Sequence, residues 1–235
     1  MLIRVLSLSI LAALWTSSLS AQPTWTIRKV DEGTVQMDGR LTEWQSVQPL
    51  VLSPDSPQIT REGEFDSRDV RLEVRAVWDK EGLYMALQWK DDQWDVLDIP
   101  RREAVWITPE GRRRSRMVFY DNLNLELSRR NYNYFAWVSP RADGQGPFSW
   151  AKRTGEERLE LAGSPPLISV TTDEDGTVSM EWLFRWKELG LKGKRYKDLF
   201  FRLQVADGDL PGALPEAKLD AVKTLSLVGR VDFVK

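Results

Sequence analysis

The sequence predicts an all-β protein of antiparallel sheets packed as a sandwich, in a single domain. Three observations predict it. Apolar and polar residues alternate with a period of two in run after run, which is the signature of half-buried strands. Short turns rich in Asp, Glu and Gly separate the runs. No long stretch carries the 3.6-residue period of an amphipathic helix.

The chain has 235 residues. Met1–Arg4 carry one positive charge, Val5–Trp15 are mostly apolar, and Ser17–Gln22 turn small and polar. This is the layout of a secretory signal peptide, assigned here to residues 1–21. Its apolar part is shorter than the ~20 residues a membrane span needs. No other stretch is long and apolar enough to cross a membrane. The expected location is therefore secreted or periplasmic, and residues 22–235 form the sandwich.

The first clear strand lies within Asp69–Asp79, where Val70, Leu72, Val74, Ala76 and Trp78 alternate with Arg71, Glu73 and Arg75. Asp79-Lys80-Glu81-Gly82 turns the chain into a second strand, Leu83–Lys90. Leu123, Leu125 and Leu127 alternate with Asn122, Asn124, Glu126 and Ser128. Val178, Met180, Trp182, Phe184 and Trp186 define another apolar face, preceded by the turn Asp173-Glu174-Asp175-Gly176. Leu199, Phe201, Leu203 and Val205 define the next. Tyr132–Val138, Leu167–Thr171 and Val231–Val234 complete the expected strands, and Trp186–Leu191 suits one short turn. Pro49–Arg68, Pro100–Arg116 and Asp207–Asp220 read as surface loops.

Composition excludes several chemistries. There is no cysteine and no histidine. That removes disulfide staples, Ser-His-Asp and Cys-His catalysis, and the usual zinc ligands. No pair of carboxylates is singled out by spacing as a glycosidase pair, so no catalytic residue is assigned and the chain reads as a binder. The formal net charge is −2, which gives no global attraction for nucleic acid. The run Arg112-Arg113-Arg114-Ser115-Arg116 reads as a solvated loop.

Aromatic residues are the positive signal. Eleven tryptophans are present. Trp78, Trp89, Trp182 and Trp186 fall on apolar strand faces and belong to the core. Trp94, Trp106 and Trp150 are expected in loops beside Asp95, Arg101 and Lys152, and Trp137 lies on the face of its strand opposite Tyr134 and Ala136. Indole rings stack on the C–H faces of sugars and offer an N–H as well. Trp94, Trp106, Trp137 and Trp150, with Tyr120 and Tyr134, are therefore the candidates for an exposed binding site.

Five segments, in order, resemble the family 9 carbohydrate-binding modules. They are Met37-Asp38-Gly39-Arg40-Leu41-Thr42-Glu43-Trp44; Val77-Trp78-Asp79 through Gly82-Leu83-Tyr84-Met85 to Lys90-Asp91; Tyr120 through Leu127; Glu181-Trp182 through Trp186-Lys187-Glu188-Leu189-Gly190-Leu191; and Phe201 through Asp207. The resemblance implies a jelly-roll β-sandwich, an extracytoplasmic setting, sugar binding and, in some members, structural calcium. Asp91 and Asp207 end strands where loops begin, and their carboxylates suit a hard cation. The chain departs from the family at the sugar clamp. Sugar-binding members hold the ligand between two tryptophans, but the matching neighbourhoods here, Met117–Tyr120 and Leu219–Lys223, contain none. Asn124 stands where the family carries an acidic residue, and Gln204 is a polar match.

Three functions follow as expectations. The first is a non-catalytic binder of a sugar or glycan. The second is a haem-binding electron-transfer subunit of the same sandwich type, with Met85, Met117 or Met180 and nearby lysines as ligands. The third is an interaction module with a cell-envelope protein as partner.

Overall fold

A computed structural model describes residues 23–92, 103–107, 113–117, 121–129, 132–139, 148–153, 159–160, 167–187, 189, 199–207 and 223–235. The strands are β1 (Thr24–Lys29), β2 (Leu50–Leu52), β3 (Thr60–Glu62), β4 (Val70–Trp78), β5 (Gly82–Asp91), β6 (Glu103–Ile107), β7 (Arg113–Met117) and β8 (Asn122–Arg129). They continue with β9 (Tyr132–Ser139), β10 (Phe148–Arg153), β11 (Leu159–Glu160), β12 (Leu167–Thr172), β13 (Val178–Arg185), β14 (Leu199–Asp207) and β15 (Lys223–Val234). Among the described residues the one helical piece is a 3-10 turn, Glu43–Ser46.

The strands pair in the order β11-β10-β9-β8-β14-β15-β1-β4-β5-β13-β12, with β2 added to β4 and β3 to β15. All neighbours are antiparallel except β1, which runs parallel to both β15 and β4. Six strands lie between β9 and β13 in this order. Yet Tyr134 on β9 meets Phe184 on β13 edge-on, with ring centroids 5.9 Å apart. The sheet is thus folded onto itself, and its two halves form the layers of a single-domain sandwich.

Each apolar alternation points into that space. Val70, Leu72, Val74 and Ala76 from β4, Leu123, Leu125 and Leu127 from β8, and Leu199, Phe201, Leu203 and Val205 from β14 are all buried in one core. Trp89 and Trp182 are fully buried there, whereas Trp78 and Trp186 are half-buried at its margin. Strand β5 is buried on both faces. Its second face, with Val77 and Leu183, is covered by Trp44 and by Val30, Val35, Met37, Leu41 and Val47 from the N-terminal segment.

The structure corrects several sequence expectations. Pro49–Arg68 is not all loop, because it contributes edge strands β2 and β3. Within Pro100–Arg116, β6 and β7 form a separate two-stranded sheet that includes part of the arginine run. The C-terminal strand is longer than Val231–Val234, beginning at Lys223. Met85 and Met180 are fully buried in the hydrophobic core, where they fill space as flexible apolar side chains. No helix among the described residues is long and apolar enough to cross a membrane.

Candidate functional site

The family-like motifs meet in the structure, and they meet as structural latches. Glu181 on β13 is fully buried. Its Oε2 accepts hydrogen bonds from the backbone N–H of Gly39 (2.7 Å) and Asp38 (2.9 Å), and its Oε1 accepts one from the Trp44 indole (2.8 Å). Burial pushes its carboxyl pKa above the ordinary glutamate value, against the lowering effect of these donors. Gly39 sits at φ +80°, and a Cβ there would come within 2.9 Å of Thr171, so glycine is required. The hairpin motif works similarly. Asp79 Oδ1 accepts from the N–H groups of Glu81 and Gly82, and the Asp79 carbonyl accepts from the Trp186 indole at 2.9 Å. A Cβ on Gly82 would lie 2.4 Å from the Phe184 carbonyl oxygen.

A second group of carboxylates gathers at other strand ends. Asp91 ends β5, Asp121 immediately precedes β8, and Asp207 ends β14. One carboxylate oxygen from each lies within 4.8 Å of the others, and Asp121 and Asp207 are fully buried. Oxygens that share a calcium ion at 2.3–2.6 Å are at most ~5 Å apart, so this triangle fits one hard divalent cation. Lys223, the first residue of β15, lies alongside. Its ammonium is 2.6 Å from Asp69 and 3.3 Å from Asp207, and it sits 5.3 Å from the centroid of the Phe65 ring. Asp91 and Asp207 were legible from the sequence as strand-end carboxylates. Asp69, Asp121 and Lys223 were not assigned to the cluster, although each also stands at or beside a strand end.

The aromatic candidates divide. Trp94 and Tyr120 lie outside the described residues. Trp106 and Trp150 lie in strands β6 and β10 and not in loops, and Trp106 is at a register position opposite Arg114 in the β6–β7 sheet. Tyr134 is buried against Phe184. It is a core residue, because it shares the face of β9 that carries Ala136 and Val138, and is thereby removed from the exposed set. Four candidates fall on one cross-strand row. Gln204 on β14 pairs with Asn124 on β8, Asn124 with Trp137 on β9, and Trp137 with Trp150 on β10. Their neighbours along the strands, including Leu123, Leu125, Leu203, Val205, Ala136 and Val138, face the core. Period-two alternation therefore places Gln204 and Asn124 on the opposite, outer face, in register with the positions of Trp137 and Trp150. Gln204 and Asn124 are half-buried there. The Asn124 side-chain carbonyl oxygen is buried and accepts no hydrogen bond.

The architecture is that of the family 9 carbohydrate-binding modules. Two solved structures with this fold come from Caldicellulosiruptor kristjanssonii, a family 9 module in complex with cellotriose and one in complex with glucose. The first aligns at a TM-score of 0.52 and 12% identity over 90% of this chain and 94% of the other. The second aligns at 0.52 and 11% over 90% and 95%. No protein-family model matches the chain, and no curated protein matches it in sequence.

Proposed function

We propose that the chain is an exported, non-catalytic carbohydrate-binding module that takes a neutral sugar on the outer face of β14, β8, β9 and β10. The observation that carries this reading is the orphaned Asn124 oxygen, set between Gln204 and the positions of Trp137 and Trp150. A buried acceptor without a donor costs about 1–3 kcal/mol. A sugar hydroxyl donating to it would recover that penalty, with Gln204 as a further polar partner and the indoles as stacking surfaces. The modules of like fold that bind cellotriose and glucose make a β-linked glucose oligomer the first ligand to try. The clamp tryptophans absent from Met117–Tyr120 and Leu219–Lys223 are replaced in this reading by Trp137 and Trp150.

Calcium belongs to the same proposal as a structural ion. Asp91, Asp121 and Asp207 would hold it, and it would supply positive charge to buried carboxylates while tying the ends of β5 and β14 to the start of β8.

The test is a titration of intrinsic tryptophan fluorescence with glucose, cellotriose and a wider glycan panel, with and without calcium. The expected result is a saturable change with a neutral sugar that Asn124→Ala and Trp137→Ala each weaken at least tenfold. Silence toward every sugar would overturn sugar binding and favour the cell-envelope interaction module.

A further inference from the structure

A polar cleft of about 460 Å³ lies on the other layer of the sandwich. Its floor is a cross-strand row in which Gln88 on β5 pairs with Ser179 on β13, and Ser179 with Thr171 on β12. The loop that carries Gly39, Arg40 and Thr42 forms one wall, and Asp173 also lines the cleft. The wall is fixed in place. Glu181 holds the N–H groups of Asp38 and Gly39, and the Thr171 hydroxyl donates to the Gly39 carbonyl at 2.8 Å. A preformed cleft avoids the ordering cost that a mobile loop would add to binding.

Its polar groups are largely uncommitted. Ser179 is 6% exposed, and among the described residues neither its hydroxyl nor the Gln88 amide makes a side-chain hydrogen bond. Arg75, also lining the cleft, is engaged by Glu73 at 2.8 Å and by the Val47 carbonyl at 3.2 Å. Arg40 is exposed and makes no ion pair among the described residues. It is the cation left to meet a ligand. No aromatic ring among the described residues lines the cleft, so recognition by them rests on hydrogen bonds and charge. Its volume falls in the range of small-molecule sites, ~300–1,000 Å³.

We propose that this cleft is a second binding site, for an acidic sugar of the uronate type. The carboxylate pairs with Arg40, whose planar fork suits bidentate contact. The ring hydroxyls bond Gln88, Ser179 and Thr42, and Asp173 accepts from a further hydroxyl. The site is independent of the row through Asn124, which belongs to the other layer.

The test is a titration of the isotope-labelled full chain with glucuronate and galacturonate, and with glucose and galactose, followed by amide NMR shifts. The expected result is saturable movement of the Gln88, Ser179 and Thr171 amides with a uronate, weakening as salt rises. Binding should fall at least tenfold in Arg40→Ala and in Ser179→Val, both of which retain the dispersed amide spectrum of the folded chain. Uronates that leave these amides unmoved would overturn the site. Equal movement with the neutral sugars, or full uronate binding in Arg40→Ala, would overturn its acidic specificity. Neutral sugars that move only amides near Asn124 support two separate sites. Loss of that response alone, with uronate binding intact, would sink the first reading and leave this one standing.

Discussion

Glu181 and the Asp91–Asp121–Asp207 triangle are both buried carboxylate sites, but they are neutralised in opposite ways. Glu181 stands among neutral donors. Two backbone N–H groups and one indole N–H converge on it, and its nearby charge effect is an unfavourable one from Glu43. The triangle gathers three carboxylates within 4.8 Å of one another, with Asp69 sharing Lys223 at its edge. Buried like charges at this spacing repel strongly, and dipoles alone suit them poorly. A lone buried carboxylate can be satisfied by N–H groups and so serves as a latch. A cluster calls for cations and so fits a metal.

Removing the latch should have the largest effect. Glu181→Leu leaves two backbone N–H groups and the Trp44 indole inside without an acceptor, and should cost about 4 kcal/mol, read as a shift in the urea midpoint. A loss below about 1 kcal/mol would mean that water or another group replaces the carboxylate. Calcium comes next. At roughly a hundred times its dissociation constant it should stabilise the chain by about 2.7 kcal/mol, and Asp121→Asn should abolish the response in a thermal-shift assay. An unchanged melting temperature on adding calcium or a chelator would leave Lys223 as the cluster's cation.

Lys223→Met should cost about 2 kcal/mol without calcium, less than a fully buried pair because the lysine retains some exposure. It should also tighten calcium binding roughly tenfold by removing a competing positive charge. The smallest effect is on pH dependence. Burial raises the folded pKa of Glu181. Between the ordinary glutamate value and that raised value, the folded chain still holds a proton the unfolded chain has released. The Glu181 contribution therefore makes stability fall as pH rises through that window, by at most about 1.4 kcal/mol per unit. Urea unfolding from about pH 4 to about pH 7 should show this slope flattened in Glu181→Gln. An identical slope in the variant would assign it to other groups.

The contrast also explains what could be read from the sequence. Asp38-Gly39, Trp44 and Glu181-Trp182 were visible as separate family-like segments, but their common purpose was not, because 137 residues separate Trp44 from Glu181. Asp91 and Asp207 could be suspected as metal ligands because a carboxylate at a strand end is local information. Lys223 carries no such local signal, since nothing around it in the sequence records that its ammonium meets Asp69 and Asp207. Tyr134 is buried against expectation for a related reason. Alternation assigns a residue to one of two faces, but only packing tells which face is inside.

By itself the sequence determined the strands of strongest alternation, the hairpin turn at Asp79–Gly82 and the family-like fold. These depend on period-two burial and on backbone demands at single residues, which neighbouring positions encode. Tertiary structure alone decided how the sheet folds onto itself, that β1 joins its halves in parallel, and that Gln204, Asn124, Trp137 and Trp150 occupy one row. It also decided that the N-terminal segment covers the outer face of β5. Strand order and register arise from contacts between residues far apart in the chain, and no local pattern records which distant strand will supply the partner.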